Sequence, residues 1–178
     1  MIVPKPDGSI RLCFDYRRVN SLTVPDPFSL PRVKVLVNKL GRANYLTKVD
    51  VTRRYWHALL DDTFMPVSAF VTSTGHFQWR YMQFGLRNAP ATFSRLVITL
   101  LKGLEYCSGA YLDDIINFCN TWEEHLKHLQ LVFDRVREAG LTLNLKKCVF
   151  ATGKVDYWGH HVGLGKVQPI VDYAETYG

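Results

Sequence analysis

Two adjacent carboxylates, Asp113 and Asp114, interrupt an otherwise apolar run, GAYLDDIINF, at residues 109–118. An ionised carboxylate that is removed from water is costly unless it is paired or binds a cation. Two residues between two apolar runs also fit an ordinary hairpin turn, because aspartate tolerates the left-handed backbone region. The dipeptide alone therefore leaves two interpretations open: a plain turn, or a buried hairpin that carries a cation site.

A second predicted strand also ends in a carboxylate. The segment NYLTKVDV, residues 44–51, alternates in the period of a strand and places Asp50 at its end. Carboxylates that converge from two neighbouring strands suit Mg²⁺, which prefers oxygen ligands and leaves positions open for substrate phosphates. Two such ions about 3.5–4 Å apart can hold an in-line displacement at phosphorus. Asp50, Asp113 and Asp114 are therefore predicted to bind Mg²⁺, with Mn²⁺ as a compatible substitute.

Charge and composition favour a folded protein with an acidic partner. The chain has 22 Lys and Arg against 16 Asp and Glu, and this excess favours a polyanion. No apolar run is long enough for a bilayer and no signal pattern opens the chain, so we expect no membrane partner. A cytoplasmic location is expected, and a nuclear one is compatible. The four cysteines form no C-x-x-C pair and are predicted to be reduced.

The remaining pattern predicts an α+β fold with a largely antiparallel sheet covered by helices, because strands outnumber crossover helices. Pro6-Asp7-Gly8 predicts a turn between two short strands, and residues 21–31, with three prolines, predict an extended connection. We expect three helices: one at about 32–40, one that begins after Asn88, and one from the capping box TWEE to Gly140. The core face of the third helix is predicted to carry Leu126, Leu129, Phe133 and Val136. Hairpins are predicted at Ser73–Gly75, in GAYLDDIINF and in VDYWGHHVG, and a strand at LTLNL.

Several motifs in order resemble one family over nearly the whole chain. They are VPKPDGSIRLCFDYRRVN, LPRV, LTKVDVTRRYW, FGLRNAPATFSRL, YLDD, EEHLKHLQLVF, REAGLTLNLKKC and YWGHHV. The sequence resembles the polymerase domain of reverse transcriptases, specifically that of the gypsy class of long-terminal-repeat retrotransposons. The resemblance implies RNA-directed DNA synthesis within a pol polyprotein whose ribonuclease H region and thumb are not expected in this chain. The implied partners are an RNA or DNA template with its primer, and deoxynucleoside triphosphates; the oligomeric state is left open.

The resemblance also implies a right-hand fold and roles for single residues. Fingers are expected at about 1–25 and 59–88, palm at about 26–58 and 89–170, and 171–178 are an unassigned tail. Asp50, Asp113 and Asp114 fall on the catalytic triad. The implied nucleotide-binding residues are Lys5, Arg11, Arg54, Tyr55, Phe84 and Gly85, with Tyr55 beneath the sugar as the group that selects deoxynucleotides. Apart from the resemblance, the residues alone favour Tyr55 as a core aromatic on a short helix. The implied primer grip is Trp158, Gly159 and His160.

The chain departs from the family pattern at a few positions. Arg54 stands where the family has a small residue, and it either fills the nucleotide pocket or turns toward phosphate. Gln83 replaces a proline, and Val67 and Ser68 stand where a lysine is usual. These departures leave a second hypothesis open: a catalytically dead relic of a retroelement that acts at most as a nucleic-acid-binding module.

Overall fold

The computed structural model describes residues 2–4, 8, 10–28, 33–112 and 114–170, and for the first two strands it describes the backbone alone. The strands are β1 (Ile2–Pro4), β2 (Ile10–Leu12), β3 (Tyr45–Asp50), β4 (Phe70–Thr72), β5 (Gly75–Phe77), β6 (Ser108–Tyr111), β7 (Asp114–Cys119), β8 (Val149–Thr152), β9 (Val155–Tyr157), β10 (His160–Gly163) and β11 (Lys166–Pro169). The α-helices are α1 (Arg17–Leu22), α2 (Val33–Gly41), α3 (Ala89–Leu100) and α4 (Trp122–Glu138), and short 3₁₀ helices cover Arg54–His57, Met65–Ser68 and Leu145–Lys147.

The chain divides into two compact units that interleave along the sequence. The first unit comprises Met1–Ser29 and Arg53–Phe93, and the second comprises Leu30–Thr52 and Ser94–Gly178. The predicted fingers and palm interleave in a similar way, and their assignment to the two units stays a prediction.

The second unit is built on two antiparallel sheets. One has four strands in the order β6-β7-β3-β8, and the other has three in the order β11-β10-β9. Every strand pair that the described residues form is antiparallel. The predicted α+β class with an antiparallel sheet is therefore confirmed.

Apolar side chains of β3 and β7 form the core of this unit. Leu46, Ile116 and Phe118 lie on one sheet face, since side chains alternate along a strand. Helix α2 covers that face with Val37 and Leu40. The second sheet adds the buried residues Val155, Tyr157 and Val162. Burial of these apolar side chains holds the short strands of the unit in register, because a slip by one residue would turn them toward solvent.

In the first unit, aromatic rings pack between the hairpin β4–β5 and the segment before α1. The ring centroids of Phe14 and Phe70 are 4.5 Å apart, and those of Phe70 and Trp79 are 5.4 Å apart. Thr72 pairs with Gly75, so the hairpin turns at Ser73 and Thr74, close to the predicted position. Within the described ranges, no helix has the length and apolar character needed to cross a membrane.

Two local predictions were wrong. Residues 21 and 22 belong to helix α1 and not to an extended connection. The segment LTLNL makes a single bridge, Val51 to Leu143, and no strand.

The core face of α4 was predicted only in part. Val136 is buried as predicted and Leu129 and Phe133 are half-buried, but Leu126 is 50% exposed, and the buried His125 and Val132 were not predicted. A histidine can occupy the core here because its ring nitrogens have partners: Nε2 lies 2.8 Å from Thr47 Oγ1, and Nδ1 lies 3.2 Å from Cys119 Sγ.

Candidate active site

Asp50 and Asp114 face each other at the end of the central strand pair. They are the last aligned residues of β3 and β7, directly opposite in the antiparallel register, and both are half-buried. Residues directly opposite in such a pair point to the same sheet face, with Cα atoms about 4.5–5.5 Å apart. Like charges in this arrangement destabilise a sheet, so the pair favours a cation between or beside the two carboxylates.

The hairpin that carries Asp114 differs in detail from a turn with both aspartates at its tip. Asp114 is the first residue of β7 and pairs with Tyr111, while Leu112 has φ +55°. Asp113, the third member of the predicted triad, lies outside the described residues. The structure therefore brings together two of the three predicted carboxylates.

Two residues that the sequence analysis did not single out hold the backbone of these aspartates. The Asn144 amide donates a hydrogen bond to the Asp50 carbonyl at 3.0 Å. The Tyr157 hydroxyl donates to the Asp114 carbonyl at 3.3 Å, and the Tyr157 side chain is fully buried. Neither contact carries a local sequence signal, because the partners are far apart in the chain.

A thiol lies beside the carboxylates. Burial raises the pKa of Cys148, and the negative charges of Asp50 and Asp114 add to that shift, while Lys48 opposes it. The thiol therefore stays protonated, and its Sγ donates to the Asn144 carbonyl at 3.3 Å. The charges of Lys48, Asp50 and Asp114 therefore all act on the same thiol.

The donor set fits a hard divalent cation. Mg²⁺ is usually held by one or two carboxylates together with substrate phosphates, and Asp50 with Asp114 supplies two carboxylates. In the described part of the chain, no group of three or more His, Cys, Asp or Glu side chains forms a complete metal cluster. A third ligand from the triad would have to come from Asp113.

The predicted primer-grip residues form the tight turn between β9 and β10. Trp158 and Gly159 have φ of +46° and +73°, the left-handed pair that a two-residue hairpin turn requires. The His160 Nδ1–H donates to the Trp158 carbonyl at 2.8 Å. The Trp158 ring meets the ring of Tyr111, next to the YLDD turn, edge to face at 4.5 Å. The turn is thus tied to the strand that leads into the carboxylates.

The predicted nucleotide-binding aromatics belong to the first unit. Tyr55 is only 8% exposed, and its ring lies 4.8 Å from that of Phe84 and 6.1 Å from that of Phe93. The Arg54 guanidinium lies over both rings, 5.2 Å from the centroid of Tyr55 and 6.0 Å from that of Phe84. Arg54 therefore covers the aromatic surface formed by Tyr55 and Phe84.

The loop around Gly85 is held by a residue that the motif search did not assign. Asn20 donates through Nδ2 to the Gly85 carbonyl at 2.7 Å and accepts from the Arg87 amide at 2.8 Å. Gly85 has φ +92°, a conformation that favours glycine. Gln83, which replaces the usual proline, is buried and accepts from Trp56 Nε1 at 3.1 Å.

Two predicted nucleotide ligands have no described side chain. Lys5 lies outside the described residues. Arg11 lies in β2, of which the structure describes only the backbone. Their predicted role on the fingertip hairpin stays a prediction.

Comparison with solved structures defines the fold as that of a nucleic-acid polymerase. A foamy viral protease–reverse transcriptase in complex with double-stranded DNA matches with a TM-score of 0.88 and 28% identity, over 98% of this chain and 31% of that chain. The same viral enzyme in complex with an RNA/DNA hybrid matches with a TM-score of 0.83 and 26% identity, over 98% of this chain and 23% of that chain. The right-hand polymerase fold predicted from the motifs is confirmed.

The chain belongs to the reverse transcriptase (RNA-dependent DNA polymerase) family, whose model matches residues 3–162. It is 38% identical to the retrovirus-related Pol polyprotein from transposon 297 of Drosophila melanogaster, over 94% of this chain and 16% of that protein. It is 33% identical to the Pol polyprotein from transposon opus of the same species, over 89% of this chain and 16% of that protein. Polyprotein P3 of Commelina yellow mottle virus is 33% identical over 90% of this chain and 8% of that protein.

The two transposon relatives confirm the predicted resemblance to gypsy-class retrotransposon Pol polyproteins. The chain spans less than a fifth of the length of each of the curated relatives named above.

Proposed function

We propose that this chain is the polymerase domain of a retroelement Pol polyprotein and synthesises DNA on an RNA or DNA template from a primer and deoxynucleoside triphosphates. The observation that carries the proposal is the alignment of Asp50 with Asp114 at the end of two paired strands, in a chain of the reverse transcriptase family. The solved complexes of the related viral enzyme with DNA and RNA/DNA hybrid support a nucleic-acid partner. The parent polyprotein would supply ribonuclease H.

In this proposal Asp50, Asp113 and Asp114 hold two Mg²⁺ ions, or Mn²⁺ in their place. Bound divalent cations neutralise charge on the substrate phosphates and make the attacking hydroxyl more acidic. Asn144 and Tyr157 keep the two described aspartates in place through their backbone carbonyls. The Tyr55 ring excludes a 2′-hydroxyl and so selects deoxynucleotides, and the Trp158–Gly159 turn with His160 supports the primer end.

Primer extension on an RNA template tests the proposal. Wild type with Mg²⁺ should extend the primer, and Asp113→Asn and Asp114→Asn should each lose at least a hundredfold in rate, because each removes a charged oxygen ligand. Asp62→Asn is the matched control, since Asp62 is an exposed loop carboxylate outside the predicted site. Equal incorporation by wild type and both site variants would reject the triad.

A second candidate function is nucleic-acid binding without turnover. The observation that favours it is the Arg54 guanidinium lying over Tyr55 and Phe84, where the nucleotide is expected to bind. It predicts tight, salt-dependent binding of primer–template together with no incorporation by wild type. Incorporation that depends on Mg²⁺ and on Asp114 would exclude it.

A further inference from the structure

A basic groove lies in the second unit, and its wall includes no residue of the predicted triad or primer grip. It encloses about 550 Å³, the size of a site for a ligand as large as a nucleotide or a short strand segment. Its wall carries Lys48, Lys154 and Lys166, with His161 and a single carboxylate, Asp156. We refer to these five residues as the lysine groove.

The charges of the lysine groove are not balanced internally. Asp156 is engaged by His161, and its backbone carbonyl accepts from Lys48 Nζ at 3.2 Å. Within the described ranges, neither Lys154 nor Lys166 makes an ion pair, and both side chains are exposed. Several ammonium groups lining one concave surface repel each other and focus a positive potential, which an anionic ligand relieves.

The groove begins next to the carboxylate pair. Lys48 lies two residues before Asp50 on the same strand, so both point to the same sheet face, with Cα atoms about 7 Å apart. Its charge also acts on Cys148, as do those of Asp50 and Asp114. From Lys48 on β3, the cations continue to Lys154, between β8 and β9, and to Lys166 on the outer strand β11. The three lysines therefore line one groove that spans parts of both sheets, and its Lys48 end lies two residues from Asp50 along β3.

We propose that the lysine groove binds the phosphodiester backbone of a nucleic-acid strand. This inference rests on the proposed function and adds to it a second contact for the strand, at residues to which the resemblance assigned no role. An extended backbone suits the groove better than a free phosphate ion does, because the lysines are exposed and spread over several strands and no buried donors enclose a single ion. Lysine acts as a point charge toward phosphate and needs no fixed geometry for this role.

Fluorescence anisotropy with a labelled primer–template, measured from 0.05 to 0.5 M KCl without nucleotides, tests the groove. The double variant Lys154→Gln/Lys166→Gln removes two phosphate contacts, and each contact contributes roughly 0.7–0.9 to the slope of log K against log salt. The slope should therefore become shallower by about 1.4–1.8, which corresponds to about 25- to 60-fold weaker binding at 0.1 M if affinities converge at 1 M. The matched control Lys102→Gln/Lys127→Gln removes the same charge from exposed positions outside the groove and should keep the wild-type slope.

The outcomes separate the groove from the proposed function. If the salt slope of wild type is steep and that of the groove variant is equal to it, the lysine groove does not bind the strand. The proposed polymerase function is unaffected by that result. If wild type does not bind primer–template at 0.05 M KCl, both the strand-binding role of the lysine groove and the proposed polymerase function are rejected. Inorganic phosphate at 10 mM should compete no better than KCl of equal ionic strength, and specific competition would identify a free-phosphate site instead of a strand-binding one. Equal melting temperatures of the two double variants confirm that neither has lost its fold.

Discussion

Replacing Arg54 with alanine tests how the side chain above Tyr55 and Phe84 affects nucleotide binding. The guanidinium lies 5.2 Å and 6.0 Å from the two ring centroids, and Arg54 is half-buried. If a deoxynucleotide uses this aromatic surface, it must first displace the guanidinium. If Arg54 instead contacts the triphosphate, the same side chain helps binding, so the two interpretations predict opposite signs.

The structure sets the magnitude of the effect. A cation over an aromatic ring is worth about 0.5–1 kcal/mol at a partly exposed site, so two rings give about 1–2 kcal/mol. Because 1.4 kcal/mol is a factor of ten, Arg54→Ala should lower KM for deoxynucleotides by about 5- to 30-fold if Arg54 blocks the surface. The same lost contacts should lower the melting temperature by about 2–8 °C, at 2–4 °C per kcal/mol for a chain of this size.

The assay is steady-state primer extension with varied deoxynucleotide, together with a thermal melt of each variant. Arg53→Ala is the matched control, because the Arg53 guanidinium lies 5.2 Å from the Trp56 ring and its removal costs the same charge and a comparable cation–π contact. The control should lose stability without a lower KM. A rise in KM of tenfold or more for Arg54→Ala would refute the blocking model and assign Arg54 to phosphate binding, where a charge-assisted hydrogen bond is worth about 1.5–3 kcal/mol.

Three further predictions concern stability. Thr121→Ala removes the side-chain cap that accepts from the Glu124 amide and should cost about 1 kcal/mol in a denaturant melt, whereas Thr121→Ser should keep most of it. Burial lowers the pKa of His125 in the folded protein below its unfolded value near 6.5. The stability that neutral His125 contributes is therefore complete above about pH 6.5 and is lost as the pH falls below that value. The melting temperature should drop between pH 7 and 5, and it should drop less in His125→Gln. Gly109→Ala places a Cβ 2.6 Å from Cδ1 of the half-buried Leu36, whose side chain must turn away, and this should cost about 0.5–1.5 kcal/mol. The double variant with Leu36→Val should recover part of this cost, and simple additivity in the double-mutant cycle would contradict the clash.

The features that were predictable from the sequence depend on short-range patterns. Alternation placed Asp50 at the end of β3 to the residue, and the glycine in YWGHHV placed the β9–β10 turn. The TWEE segment predicted the cap of α4, which Thr121 provides. Each of these signals acts within one segment of eight residues or fewer, so the local chain carries all the information needed.

The tertiary structure decided the contacts that join distant parts of the chain. The Tyr157 hydroxyl reaches Asp114 across 43 positions, and Thr47 reaches His125 across 78. A histidine on an otherwise apolar helix face looks like a polar interruption until those partners are known, which is why His125 was not expected on the core face of α4. The position of Arg54 over Tyr55 and Phe84 was likewise beyond the sequence, because Phe84 lies 30 positions away along the chain and only the folded unit brings its ring beside Arg54.

By itself the sequence determined that Asp50 ends its strand, since the two-residue period of a strand fixes which side chains share a face. Only the tertiary structure decided that Asp50 and Asp114 lie opposite each other and that Lys48, Lys154 and Lys166 line one groove. Strand order and register depend on burying the apolar side chains of the whole unit together, and no local segment contains that information.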